Sequence, residues 1–148
     1  MAVANNILII VNTGPDKRWN HYAAYTFAWV ARRYYKAKKV TIMYGPHAVE
    51  MTKKGTLAKF IMTPDMKVLT ASQFEGLRAE KLPDHLEQLA RFEREKMEIS
   101  IVSSGIFHVL EGFANGIDDR SNIEDFIDPI DLYETCKLML EADQILYY

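Results

Sequence analysis

Ile7-Leu8-Ile9-Ile10-Val11-Asn12-Thr13-Gly14-Pro15 is the stretch that sets the architecture. A continuous apolar, largely β-branched run fits a parallel strand covered on both faces, where alternation would mark a half-exposed one. Gly14-Pro15 ends the run. The arrangement recurs twice. Val40–Tyr44 runs into Gly45-Pro46-His47, and Ile99–Val102 runs into Ser103-Ser104-Gly105. Each turn leads toward a segment of helical periodicity. Repeated strand–glycine–helix units predict a three-layer α/β/α domain with a mainly parallel sheet of about five strands, of the flavodoxin-like class. The turns at the carboxyl ends of such strands share one rim, where open α/β sheets bind ligands.

Between these strands the periodicity predicts a helix from about Trp19 to Tyr35. Ala23, Phe27, Val30, Ala31 and Tyr34 form its inner stripe. Tyr22, Tyr25 and Trp29 lie off that stripe. Either neighbours in the same chain cover them or they form an assembly face, where aromatics are favoured. A short helix is expected from Ala48 to Lys54, with Gly55 as its cap. Leu57–Glu80 reads as a loop-rich excursion with at most a short strand. Pro83 suits the first turn of the next helix. Leu86, Leu89, Ala90 and Phe92 are assigned inward there, and Glu87, Arg91, Glu93, Arg94 and Glu95 outward. A helix from Ile106 to Phe113, an acidic loop from Asp118 to Asp128, a helix begun by Pro129 and a last strand at Gln144–Tyr148 complete the chain.

With 148 residues the chain suits one domain, 1–148, with a single core. A formal net charge of −2 argues against an electrostatic nucleic-acid footprint. No apolar run is long enough to span a bilayer, and the first residues do not resemble a secretory signal. The single cysteine, Cys136, has no partner for an internal disulfide. A cytoplasmic location is therefore the expectation.

The rim supplies the candidate ligand-binding residues: Thr13, Gly14, Gly45, His47, Ser103, Ser104 and Gly105. Free N–H groups after the strands are able to hold an anion. Ordinary capping of the same groups by Ser and Asp oxygens is the commoner event. The glycine fingerprints of dinucleotide and P-loop sites are absent, as is the nucleophile elbow of hydrolases. His21, His47, His85 and His108 lack the spacing of a helical zinc site. Neither a cofactor nor a metal is assigned, and whether the rim catalyses a reaction stays open. Cys136 sits among Ile130, Tyr133, Met139 and Leu140 and is expected to be a small buried hydrophobe. The other reading makes it a sulfur carrier.

Ile7–Asp16, Val40–Pro46 and Leu140-Glu141-Ala142-Asp143-Gln144-Ile145-Leu146-Tyr147-Tyr148 together resemble the DsrE/DsrF-like family. The resemblance leaves out Leu57–Lys81, which reads as an insertion. It implies a three-layer α/β/α fold, a cytoplasmic homo-oligomer (trimer or hexamer) and a place in sulfur relay, with a sulfur-relay protein as partner. In persulfide-carrying members a cysteine ends the strand that matches Ile99–Val102. Here that stretch reads Val102-Ser103-Ser104-Gly105. A hydroxyl cannot replace a thiolate in that chemistry. The resemblance therefore points to a structural, binding or regulatory subunit. A small-ligand module or enzyme at the rim, and a carrier using Cys136, are the alternatives.

Overall fold

A computed structural model describes residues 4–148. Five parallel strands form one sheet in the order β4-β3-β2-β1-β5: β1 is Asn6–Val11, β2 Lys39–Tyr44, β3 Ser100–Ser104, β4 Asp128–Ile130 and β5 Gln144–Tyr147. The helices are α1 (Arg18–Arg33), α2 (Pro64–Ala71), α3 (Leu86–Lys96), α4 (Gly105–Leu110) and α5 (Leu132–Glu141). Short 3-10 segments occupy Pro46–Thr52, Leu57–Lys59 and Ala79–Lys81. This is the expected α/β, flavodoxin-like arrangement.

Alternate residues of the strands build two separate cores. Ile7, Ile9, Val11, Val40, Ile42, Tyr44, Ile99 and Ile101 face α1 and α3. Leu8, Ile10, Met43 and Val102 face the other way, against Leu138 and Ala142 of the α5 segment. One helix thus serves one whole side of the sheet. It carries the chain from β4 at one edge to β5 at the other. Asp143 fixes that return: its carboxylate accepts the N–H groups of Asn5 (3.0 Å) and Asn6 (2.8 Å).

Several expectations need correction. The inner face of α1 is Ala24, Tyr25, Ala28 and Ala31 with His21, so the expected stripe is rotated and only Ala31 belongs to it. Small residues let the helix axis approach the sheet closely, a gain that a hydrophobicity pattern underweights. Tyr25 is fully buried, its hydroxyl bonded to that of Tyr44, which removes it from any outer assembly face. Tyr22 donates to the Ile61 carbonyl (2.7 Å), and Trp29 is half-buried beside Phe74. The segment 57–83, which takes in the expected Leu57–Glu80 excursion, covers this flank of α1 and contains a helix where a short strand was expected at most. Thr63 caps α2 by accepting the Met66 N–H (3.3 Å).

On α3 the inner face runs Leu86, Leu89, Ala90 and Glu93, while Phe92 is 47% exposed. Glu93, expected in water, is completely buried. β4, Asp128–Ile130, stands where the last helix was expected to begin. Pro129 is tolerated there because β4 is an edge. Asp131, not Pro129, starts α5, its carboxylate accepting the Glu134 N–H (2.8 Å). Cys136 is exposed on α5, not buried. α5 buries no residue completely and rests on the sheet through Leu138, with Cys136 left on its outer side. Among the described residues no helix is long and apolar enough to cross a membrane.

Candidate functional site at the carboxyl rim of the sheet

All five strands point the same way, so their carboxyl ends converge on one rim. The turns after β1 and β2 are joined directly. Asn12 Oδ1 accepts the His47 N–H (2.9 Å), and the Gly45 N–H donates to the Val11 carbonyl (2.8 Å). A Cβ on Gly45 would lie 2.5 Å from Asn12 Oδ1, so only glycine leaves room for this joint. Thr13 Oγ1 accepts from Asn20 Nδ2 (3.2 Å), and His21 Nε2 lies 2.8 Å from the Gly14 carbonyl oxygen. Burial lowers the His21 pKa, against the opposing pull of the Gly14 carbonyl and Asp16. This imidazole is a neutral clamp on the glycine turn.

The turn after β3 is different. Ser103 is fully buried, and its Oγ lies 2.7 Å from His108 Nε2 on α4. His108 is also fully buried, and burial lowers its pKa. Among the described residues its Nδ1 has no partner, and neither does the buried Ser104 Oγ. A serine beside a neutral histidine resembles a nucleophile and its base. Here no third group orients the ring, and no surface reaches the hydroxyl. Gly105 lets Ile117 close over this turn: a Cβ on it would lie 2.5 Å from the Ile117 carbonyl oxygen.

An open pocket of about 370 Å³ lies next to this buried pair, lined by Pro46, His47, Val49, Glu50, Lys53, Glu111 and Phe113. The Phe113 ring is the partition. His108 lies 5.1 Å behind it, and the Lys53 ammonium sits 4.8 Å in front. The expected rim therefore divides into two parts. Thr13, Gly14, Gly45 and His47 stand together, with His47 exposed to the pocket. Ser103, Ser104 and Gly105 are sealed behind Phe113 and Ile117. Among the described residues no group of three His, Cys, Asp or Glu side chains is arranged to hold a metal ion. Cys136 lines none of this.

The sequence reading missed Asn12 as the link between two turns, and His108 as the partner of Ser103. A histidine four residues past Ser104 in a short helix was the available signal. It also missed a carboxyl pair on the α3 side. Glu124 is buried, and burial followed by contact with Glu87 pushes its pKa up to about 7. Glu87 is pulled down, chiefly by its bond to Glu124.

No protein-family profile matches the chain, and no curated protein matches it in sequence. A solved structure does. The crystal structure of the YchN protein from E. coli superposes with a TM-score of 0.66 over 97% of this chain and 99% of that one, at 14% identity. That likeness establishes the α/β fold.

Proposed function

We propose that this chain is a DsrE/DsrF-like protein of intracellular sulfur relay or sulfur metabolism that acts without a persulfide at its third strand, as a structural, binding or regulatory subunit. The observation that carries the reading is the closed Ser103–His108 pair. Where a carrier needs an accessible thiolate, this strand end offers a buried hydroxyl behind an aromatic ring. What stays open beside it is the pocket of His47, Glu50, Lys53 and Glu111, whose mixed charges suit binding.

One specific observation favours a second reading. Cys136 is free and exposed, as a carrier thiol must be. Mass spectrometry after incubation with a persulfide donor separates the two. We expect no stable added sulfur on the wild-type chain, and stable association with a DsrE/DsrF-like protein that keeps the strand-end cysteine. A sulfur adduct on Cys136 that transfers to an acceptor thiol, and is lost in Cys136→Ser, overturns the subunit reading in favour of the carrier.

The same reading makes the protein a homo-oligomer, assembled through α5 and β5. Leu132, Tyr133, Met139 and Leu140 on α5 are 54%, 76%, 43% and 86% exposed, and Ile145 and Tyr147 on the β5 edge are 42% and 66% exposed. Together they bare on the order of 700 Å² of largely apolar surface, close to the ~800 Å² that each side of a standard interface contributes. Light scattering should report more than one copy at micromolar concentration. Tyr133→Glu with Leu140→Glu should shift the protein to monomer while leaving its circular dichroism unchanged. A wild-type monomer would remove α5 as an assembly face.

A further inference from the structure

A second cavity lies away from the rim and shares no residue with the rim pocket. The 57–83 excursion folds back over α1 and α3 and encloses about 330 Å³. Met62 and Leu89, both buried, and the half-buried Trp29 and Leu77 form its apolar wall, and Phe92 stands at its margin. Trp29 is held in place edge-on by Phe74 at 5.3 Å and Tyr34 at 5.5 Å, so the wall is already formed. Two cations, Arg33 at the end of α1 and Lys81 after α2, also line the cavity. Neither forms an ion pair among the described residues. Among the described residues no acidic side chain lines it.

An apolar body enclosed by few polar groups is the usual form of a small-molecule site. Here the polar groups are all of one sign. We propose that this cavity binds a small amphipathic carboxylate, its apolar portion against Trp29, Met62, Leu77 and Leu89 and its charge between Arg33 and Lys81. The guanidinium supplies a planar fork for the carboxylate, and the ammonium supplies a point charge. The partly dry wall strengthens both contacts relative to open water. A neutral molecule of the same shape gains the burial but not the charge pairing, so the site discriminates by head group. The site is independent of the sulfur-relay reading, since it uses none of the rim residues.

Decanoate and decanol are suitable probes, because they share a chain and differ in charge. The chain has two tryptophans, so Trp19→Phe leaves Trp29 as the reporter. In that background a bromine-bearing decanoate should quench Trp29 fluorescence saturably, and calorimetry should give decanoate at least tenfold tighter binding than decanol. Arg33→Gln with Lys81→Gln should weaken decanoate about tenfold or more and leave decanol unchanged. Both residues are exposed, so this variant is expected to fold. Thr70→Phe should fill the cavity and abolish both. The proposal is overturned if quenching does not saturate, if decanol binds as well as decanoate, or if the Arg33/Lys81 variant keeps full affinity for decanoate.

Discussion

Glu93→Gln is expected to stabilise the protein at neutral and alkaline pH and to flatten its pH dependence. Glu93 projects from α3 into the main core, fully buried, and among the described residues neither carboxylate oxygen has a hydrogen-bond partner. Burial raises its pKa well above the ordinary 4.5. The folded protein therefore keeps the proton that the unfolded chain releases. Below the unfolded value both states are protonated, and the native state bears no ionisation cost. As pH rises from there to the folded value, stability falls by about 1.4 kcal/mol per pH unit. Glutamine keeps the shape and the buried polar group but cannot ionise. Denaturant titrations between about pH 5 and pH 8 should show the wild type losing stability and Glu93→Gln losing less. The buried hydroxyls of Tyr25 and Tyr44 lie within electrostatic range of Glu93, and their pKa values are raised too. Glu124 contributes a loss of the same sign that ends near its value of about 7. Glu87, whose pKa is lowered, acts in the opposite sense at lower pH. A wild type equally stable across the range, or a less stable Glu93→Gln at pH 8, would refute this account.

Gly105→Ala is the second large effect. The added carbon would come within 2.5 Å of the Ile117 carbonyl oxygen and 2.6 Å of Ile117 Cγ2. The first of these is backbone and cannot swing aside, so the 115–118 turn must move. Overpacking of this kind costs about 1–3 kcal/mol. Because Ile117 helps to seal the β3 turn, the variant should also loosen the cover over Ser103 and His108. Hydrogen exchange should quicken in residues 103–118 before it changes elsewhere. Unaltered stability in chemical denaturation would mean that Ile117 yields easily, and that the seal is soft.

How far the sequence could be read depends on what makes each element. β1, β2 and β3 announce themselves because central parallel strands need continuous apolar runs. β4 does not, since Asp128-Pro129-Ile130 has no strand character of its own and is ordered by pairing with Val102, Ser103 and Ser104. The inner face of α1 escaped detection because alanines carry the closest approach. Glu93 was legible in principle: it continues the Leu86, Leu89, Ala90 spacing by one turn. Charge outweighed position in the reading. At the rim, sequence identified which turns would meet, because topology dictates that. It could not show that Phe113 and Ile117 divide them, since a side chain distant along the chain leaves no local periodicity.

The placement of β5 beside β1 has a consequence for folding order. β1 finds β2 after a short crossover, but its other edge is covered only when residues more than a hundred positions later arrive, as the Asp143 bond to Asn5 across 138 residues shows. Until then the most apolar strand of the molecule presents an open row of N–H and C=O groups, a template for pairing with the wrong chain. Such long-range closure is slow. During synthesis the nascent sheet is therefore most exposed to aggregation at its own first strand, and shielding there, more than native stability, should govern its yield of folded protein.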